Sequence, residues 1–273
     1  MTAGRLCEKV GMTRQNLYKA RKERQRREID RELIVNLVEI ERHWQPRIGG
    51  RKLLWQVGTE LEEAGVEIGR NRFFDILREE DLLVKPRQKK ARTTDSRHAL
   101  PVFRNLIKDL EAGGRNEIWV GDLTYLRTME GFRYLSVIMD LWTRKIVGHH
   151  LSETLESMGC VQALEMAMKG LGRGESPIHH TDRGCQYCCH EYVDRLRERG
   201  FAISMTEENH CYENAHAERV IGILKQEYLL DETFRNHEQA QRAVEQAIHT
   251  YNTRRPHSSL NYRTPAEAYN QAA

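Results

Sequence analysis

Apolar and polar residues alternate along three stretches in the middle of the chain, which is the pattern of β-strands. The stretches are EIWVGDLTYL from residue 117, YLSVIMD at 134–140 and KIVGHHL at 145–151. Further along, short apolar runs predict strands at PIHHTD and FAISM, and helical spacing predicts helices at 154–170, 190–200, 214–229 and 236–251. Three successive strands followed by alternating helices and strands predict a mixed α/β sheet flanked by helices.

The N-terminal part of the chain shows helical periodicity instead. Residues 5–22 predict two helices separated by Gly11, with Thr13 capping the second. This is helix-turn-helix spacing, although any αα-hairpin has a similar pattern. The second helix begins with Arg14, Gln15 and Asn16. The basic run KARKERQRR continues it, and a long helix is predicted at about 28–43.

A second helical pair is predicted at 49–83. Gly65 ends its first helix, and the first turn of its second helix carries Arg70, Asn71 and Arg72. Two such pairs in tandem favour DNA binding more strongly than one. The polar, basic stretch that follows predicts a linker. We therefore divide the chain into an N-terminal helical segment (1–48), a helix-turn-helix unit (49–83), a basic linker (84–113) and a core (114–270).

Charge is unevenly distributed between the two ends of the chain. Residues 1–97 carry 23 Lys and Arg against 16 Asp and Glu, whereas the rest carries 20 against 24. The excess of positive charge in residues 1–97 suggests a polyanionic partner, although a solvated helical surface would have the same charge pattern. No apolar run long enough to span a membrane and no signal-peptide pattern is found. The six cysteines show no disulfide framework and are expected to be cytosolic thiols.

Three acids are candidates for a metal site. Asp122 lies inside the first strand, Asp182 ends the PIHHTD strand, and Glu218 lies on a helix, with 35 residues between it and Asp182. Taken singly, each acid also has an ordinary explanation. Asp122 could be a surface residue or turn partner, Asp182 a turn former and Glu218 a solvated helix residue. If the strands are neighbours and the helix crosses their ends, the carboxylates converge. Hard divalent cations would offset their repulsion, and two such ions can activate a water or a 3′-hydroxyl.

Five motifs occur in an order that resembles one known family. They are WVGDLTYL, VIMDLWTRKIVGHHL, HHTDRGCQY, ENAHAERVIGILKQE and YNTRRPHSSLNYRTPAEAY. Residues 49–270 resemble the integrase-core transposases of bacterial insertion sequences, in particular the OrfB proteins of the IS3 family, which are relatives of retroviral integrases. The 35-residue spacing matches that family's signature. Thr181, Cys185 and Glu213 depart mildly from the family pattern, and none of them is one of the three acids.

The resemblance implies a ribonuclease-H-like core in which Asp122, Asp182 and Glu218 bind two Mg²⁺ ions, with Mn²⁺ as a substitute. It implies double-stranded DNA as substrate, a homodimer or larger assembly, and a location in the bacterial cytoplasm at the nucleoid. OrfA, or an OrfA–OrfB fusion, is a further partner in this family. Whether Met1 begins the whole enzyme or only its OrfB part stays open.

Several neighbours of the acids are candidate DNA contacts. Asn214, Glu218 and Lys225 share a helix face, so Lys225 is expected to reach a phosphate and Asn214 to orient backbone or DNA. Arg183 is expected either to contact phosphate or to pair with an acid. Arg255, in the segment 251–265, is a further candidate, and for this segment a structural brace is an equal alternative.

A zinc site is the competing interpretation of the cysteines. Cys185 and Cys188 have CxxC spacing, and His210 and Cys211 follow. The second pair is adjacent, which makes a tetrahedral chelate difficult, so we expect packing thiols and no zinc.

The sequence therefore predicts a DNA transposase that binds the terminal inverted repeats of an insertion sequence and performs Mg²⁺-dependent hydrolysis and strand transfer. Two rivals are kept: a catalytically silent, transposase-derived DNA-binding repressor, and a ribonuclease-H-like nuclease without strand transfer.

Overall fold

The structure is a computed structural model that describes Cys7 and residues 12–85, 100–108, 110–207 and 214–272. Most of the first predicted helix of the 5–22 pair lies outside these residues, as do His210, Cys211 and Glu213 of the sequence analysis. The chain forms two compact units. The helical unit contains Met1–Trp44 and Ile48–Lys85, and the sheet unit contains Gln45–Arg47 and Pro86–Ala273.

Within the described residues, one long helix is the main element of the helical unit. Helix α1 (Arg14–Trp44) has 31 residues and joins the basic run to the helix predicted at 28–43. No Gly or Pro interrupts this stretch, and its many Arg, Lys, Glu and Gln residues favour helix. The predicted cap is confirmed, because the Asn16 backbone N–H donates to Thr13 Oγ1 at 3.2 Å.

Three short helices complete this unit: α2 (Gly50–Gln56), α3 (Gly58–Glu63) and α4 (Arg70–Glu79). Gly65 ends α3 with a φ of 69°, a left-handed conformation that glycine adopts without strain. Ile34 and Val38 of α1 share a buried core with Leu53 and Phe73. Helices α1 and α2–α4, which our division separated at residue 48, therefore belong to one compact unit.

The sheet unit contains six strands and six helices within the described residues. In chain order the strands are β1 (Ile118–Thr128), β2 (Gly131–Asp140), β3 (Ile146–Ser152), β4 (Ile178–Thr181), β5 (Ala202–Met205) and β6 (Thr233–Phe234). The helices are α5 (Ser157–Lys169), α6 (Cys185–Cys188), α7 (His190–Glu198), α8 (Ala215–Glu227), α9 (His237–Thr253) and α10 (Pro265–Gln271). The three successive strands and the alternation that follows are as predicted.

The strands form a mixed sheet in the order β3-β2-β1-β4-β5. The first three are antiparallel, while β4 pairs parallel to β1 and β5 parallel to β4. The two-residue strand β6 pairs parallel to the far end of β1. A strand this short has no period of its own, so the sequence could not predict it.

Both faces of the sheet are covered by helices. Val120 on β1 packs in a core with Val220 of α8 and Val244 of α9. Its neighbour Trp119 points to the opposite face, where it packs with Leu164 of α5 and Tyr192 of α7. The period of two in β1 thus serves two cores, which fixes its register.

Helix α5 lies very close to β3. A Cβ atom added to Gly148 would lie 2.2 Å from the carbonyl oxygen of Ala163 and 2.8 Å from Cβ of Ala167. Glycine is therefore required at this point of the strand, because any side chain would force the helix away.

The last part of the predicted linker is packed on the sheet unit. The Leu106 backbone N–H donates to Ser204 Oγ at 2.9 Å, and Phe103 packs against the core under α5 and α7. Within the described residues, no helix has the length and apolar character needed to cross a membrane.

Candidate active site

Two of the three predicted acids lie on neighbouring parallel strands. The register pairs Ile118 with Ile178 and Val120 with His180. Asp122 and Asp182 each follow two residues after this last pair, so they come side by side where β4 ends. Asp122 is buried and Asp182 is half-buried. The structure therefore brings these two carboxylates together at one point of the sheet.

Backbone amides hold both carboxylates in place. Asp122 Oδ1 accepts from the Leu123 N–H at 2.8 Å, and Asp182 Oδ1 accepts from the Gly184 N–H at 3.0 Å. A Cβ atom at Gly184 would lie 3.0 Å from Asp182 Oδ1. The glycine after Asp182 therefore leaves room for this turn before α6.

The third acid lies on a helix that is attached to β1. Glu218 is exposed in the first turn of α8. The N-cap residue of this helix, Asn214, donates Nδ2–H to the carbonyl oxygen of Gly121 at 3.1 Å. Helix α8 therefore begins beside β1, one residue from Asp122.

The carboxylates do not form a closed ligand set in this conformation. Across the described ranges, no three His, Cys, Asp or Glu side chains are arranged to hold a metal ion. The donor chemistry of the paired aspartates nevertheless fits a hard divalent cation, which prefers carboxylate oxygens. Two neighbouring carboxylates, one of them buried, also need a compensating positive charge.

A buried polar layer next to the aspartates was missed by the sequence analysis. Burial raises the pKa of Tyr187 well above its ordinary value, and the nearby Cys160, Tyr192, Asp122 and Asp182 add to this effect. The Tyr192 hydroxyl lies 2.7 Å from His179 Nε2. Tyr187 follows Asp182 by only five residues, but nothing in its spacing distinguishes it from an ordinary core aromatic.

Lys225 lies two turns beyond Glu218 on α8, as predicted. Its Nζ is 4.7 Å from the centroid of the Tyr125 ring on β1, a cation–π contact. The half-buried Lys225 side chain therefore links α8 to the Tyr125 ring of β1.

Two predicted DNA contacts have structural roles. The prediction for Arg255 is corrected here, whereas Asn214 follows the backbone alternative of its prediction. Asn214 is 3% exposed, and its amide is used by the Gly121 carbonyl. Arg255 is 2% exposed, and its guanidinium makes two hydrogen bonds to the Glu227 carboxylate, at 2.7 and 2.9 Å. Neither side chain is offered to a ligand in this arrangement.

The segment 251–265 acts as a brace in the structure. Asn252 accepts from the Ile146 backbone N–H at 3.0 Å and donates to the Ile146 carbonyl at 2.9 Å. His257 Nε2 lies 2.8 Å from Nη1 of Arg255. Of the two alternatives for this segment, these contacts favour the brace.

Arg183 contacts neighbouring backbone. Its Nε–H donates to the Thr206 carbonyl at 2.6 Å, and the side chain is half-buried. This contact directs the guanidinium towards the end of β5, next to Asp182.

The predicted contacts of the helical unit lie at two helix starts. Arg14, Gln15 and Asn16 are exposed in the first turn of α1, and Arg70, Asn71 and Arg72 are exposed in the first turn of α4. Of these side chains, Arg72 also pairs with Glu79 at 3.1 Å. Side chains at a helix start are well placed to reach base edges in a major groove.

The CxxC cysteines differ in their surroundings. Cys185 is exposed at the start of α6, whereas Cys188 is buried with Sγ 3.7 Å from Sδ of Met205. Burial raises the pKa of the Cys188 thiol to about 11, which disfavours the thiolate that zinc requires. Cys188 is thus a packing thiol, while His210 and Cys211 lie outside the described residues.

Comparison with known proteins agrees with this geometry. Residues 113–211 and 199–265 each match a family described as "Integrase core domain". The chain is similar to a protein of the intasome of simian T-cell lymphotropic virus, solved with PP2A regulatory subunit B56 gamma, with a TM-score of 0.51 and 18% identity over 85% of this chain and 74% of that one. This likeness concerns the fold alone and agrees with the ribonuclease-H-like mixed α/β sheet expected for the core.

Sequence relatives define the group more closely. The chain is 36% identical to transposase InsF for insertion sequence IS3A of Escherichia coli strain K12, over 78% of this chain and 74% of the relative. It is 34% identical to the insertion element IS600 uncharacterized 31 kDa protein of Shigella sonnei, over 98% of this chain and all of the relative. The chain therefore belongs to the IS3 family of insertion-sequence transposases.

Proposed function

We propose that this transposase binds the terminal inverted repeats of its insertion sequence, hydrolyses a phosphodiester bond at the element end, and joins the freed 3′-hydroxyl to a second DNA. The observation that carries this proposal is the side-by-side position of Asp122 and Asp182. Helix α8, which carries Glu218, begins next to this pair.

Asp122, Asp182 and Glu218 would hold two Mg²⁺ ions, or Mn²⁺ in their place. When bound, these ions lower the pKa of an attacking water or hydroxyl and stabilise the leaving oxygen. The N–H groups of Leu123 and Gly184 each donate to one oxygen of an aspartate and so orient the two carboxylates. Glu218, exposed on α8, completes the set when DNA is engaged.

Positive side chains near the acids would position the DNA strand. Lys225, on the same helix as Glu218, would neutralise a phosphate beside the scissile bond, and Arg183 would do the same on the Asp182 side. Contacts of this kind fix the register of the backbone without reading its sequence. The narrow turn at Gly184 permits close approach of the strand.

The helical unit would supply recognition of the element end. Its exposed residues at the starts of α1 and α4 combine cations with amides that can bond to base edges. The binding of double-stranded DNA in this unit would be separate from the chemistry, because the acids lie in the sheet unit.

The proposed joining reaction requires more than one copy of the chain. Two element ends must be joined to one target, so a homodimer or larger assembly is required. An OrfA protein or an OrfA–OrfB fusion would act with it, in the bacterial cytoplasm at the nucleoid.

The test combines a binding assay with a joining assay on one preparation. The purified chain is incubated with Mg²⁺ and with DNA flanking its own gene, and joined products are sought. Asp182→Asn should abolish nicking and strand transfer while a gel shift on the same DNA persists, since shape is kept and one ligand charge is lost. Asp122→Asn and Glu218→Gln should behave alike.

Asp194→Asn, an exposed change on α7, is the matched control and should leave both assays unchanged. Joining by the Asp182→Asn protein would refute the assigned site. Binding without any nicking by the unaltered chain would instead favour a catalytically silent repressor, and nicking without joining would favour a simple nuclease.

A further inference from the structure

The hairpin formed by β1 and β2 carries an exposed aromatic pair near its tip. Tyr125 is 40% exposed and Phe132 is 51% exposed. Their ring centroids lie 5.0 Å apart with an interplanar angle of 71°, an edge-to-face contact. This pair does not serve the core, since both rings keep much of their surface in solvent.

Two cations border these rings. Lys225 Nζ lies 4.7 Å from the Tyr125 ring centroid, and Arg127 is directly opposite Phe132 in the strand register. The exposed Arg127 side chain makes no ion pair or hydrogen bond in the part of the chain that the structure describes. We call Tyr125, Arg127, Phe132 and Lys225 the hairpin platform.

The charge of the platform favours an anionic occupant. Glu130, the acid of the hairpin turn, is already paired with Arg133 at 2.8 Å. The platform therefore presents aromatic faces between two positive groups. Nucleic-acid bases stack on aromatic faces, and their phosphates need cations, so this combination suits an unpaired DNA strand.

The platform lies close to the acids along two elements. Lys225 is seven residues from Glu218, roughly 10 Å along a helix. Tyr125 is three residues from Asp122, about 10 Å along a strand. At about 3.4 Å per nucleotide of one strand, this separation corresponds to roughly three nucleotides.

We propose that the hairpin platform is a subsite for single-stranded DNA, where bases next to the scissile phosphate leave the duplex and stack on Tyr125 and Phe132. Arg127 and Lys225 contact the phosphates of those nucleotides. This subsite rests on the proposed function, because it gives the strand at the acids a place for its unpaired bases.

Base stacking can be measured without any cleavage. The full chain is mixed, in EDTA, with a short oligothymidylate containing one 2-aminopurine, whose fluorescence falls when it stacks. The helical unit also carries exposed aromatic side chains, Tyr18, Trp44 and Trp55, so quenching is assigned to the platform only by its loss in the platform variants. Tyr125→Ala and Phe132→Ala should each raise the protein concentration needed for half-maximal quenching by roughly tenfold. This is within the range known for loss of one base–aromatic stack.

Conservative variants separate stacking from structure. Tyr125→Phe and Phe132→Tyr should keep the affinity within about twofold, because each retains an aromatic face. Trp142→Ala is the matched control, since Trp142 is 38% exposed beyond the opposite end of β2. It should leave the quenching unchanged. Thermal melting of each variant confirms folding, which these exposed positions should not disturb.

Three results would overturn the proposal. The first is quenching that survives both alanine substitutions, and the second is an equal loss with Trp142→Ala. The third is sedimentation showing that Tyr125→Ala disrupts self-association in DNA-free protein while quenching persists, which would make the platform a contact with a second copy of the chain. Failure of the proposed chemistry would appear separately, in the joining assay with Asp182→Asn, because the stacking assay contains no metal.

Discussion

The side-chain amide of Asn214 donates to the backbone carbonyl of Gly121, one residue before Asp122. This single hydrogen bond connects the start of the helix that carries Glu218 to the strand that carries the first aspartate. Two parts of the candidate site that are far apart in sequence are thereby held to one another.

Replacement of Asn214 by Ala should reduce strand transfer at least tenfold, because the start of α8 loses its hydrogen bond to β1. The stability cost should be about 1–2 kcal/mol, the usual range for a buried hydrogen bond. Asn236→Ala is the control, since Asn236 Oδ1 caps α9 by accepting from the Gln239 N–H. It should cost about 1 kcal/mol in stability and leave the activity of the folded protein unchanged. Equal activity losses in the two variants would contradict the positioning role.

Metal dependence follows from the carboxylate donors. We expect nicking and joining with Mg²⁺ or Mn²⁺, and none in EDTA or with Ca²⁺ as the sole ion, because Ca²⁺ favours looser coordination. Glu218→Gln should remove this activity. Glu238→Gln, the same change in the first turn of the neighbouring helix α9, should not. Cleavage without metal, or restored only by Zn²⁺, would be incompatible with the assigned ligands.

Stability should fall as the solution becomes more acid. Burial, with the nearby His180 as a smaller cause, lowers the pKa of His179 from 6.5 to about 3. A lowered folded-state pKa means that the unfolded chain binds the extra proton, so stability is complete above pH 6.5 and is lost as the pH falls towards 3. Between pH 7.5 and pH 5 this group alone should cost about 2 kcal/mol.

Urea unfolding at several pH values tests this, with His179→Gln as the variant. The variant should be less stable at pH 7.5, because Tyr192 loses its partner, but its stability should depend less steeply on pH. Exposed His190→Gln should keep the original slope. An unchanged slope in His179→Gln would show that this imidazole is not buried in the neutral form.

The prediction for Gly148 tests the packing of α5 on β3. An added methyl group would overlap the Ala163 carbonyl at 2.2 Å, so Gly148→Ala should destabilise the sheet unit by about 1–3 kcal/mol or more. Gly222→Ala is the control, because a Cβ atom there meets nothing within 4 Å and helix α8 favours alanine. A Gly148→Ala protein as stable as the original would mean that the helix can move away.

The two thiols of the CxxC motif should differ. Purified protein should contain no stoichiometric zinc. Cys188→Ser should cost about 1–3 kcal/mol, because it buries a hydroxyl beside Met205, and exposed Cys185→Ser should be nearly neutral. One zinc per chain, lost in Cys188→Ser, would prove the packing assignment wrong.

Periodicity predicted most of the sheet unit because its strands are long enough to show alternation. Residues 118–122 of β1 are all buried, whereas residues 123–128 alternate between exposed or half-buried and buried positions, and this alternation after Asp122 is visible in the sequence. The position of Asp182 at a strand end could also be predicted. The spacing alone could not show that β1 and β4 are neighbours, since strand pairing depends on contacts far apart in sequence.

The roles of single polar residues were harder to predict. Arg255 was predicted as a DNA contact because its charge is visible in the sequence. Its pairing with Glu227, 28 residues earlier, could not be predicted from the sequence. The basic run and the stretch at about 28–43 were predicted as consecutive helices, and they form the single helix α1 because no helix-breaking residue lies between them. The exposure of Tyr125 could not be predicted, because a tyrosine in a strand is ordinarily a core residue.

The pairing of Arg255 with Glu227 has a consequence for damaged copies of the gene. Helix α8 is tied down at its start by Asn214 and at its last turn by Arg255. A gene copy that has lost only its final twenty or so codons would still encode every one of the three acids. Its product would nevertheless leave Glu227 without its counter-charge and the end of helix α8 loose. Erosion from the 3′ end of the gene would therefore silence an element well before it reached the codon for Glu218.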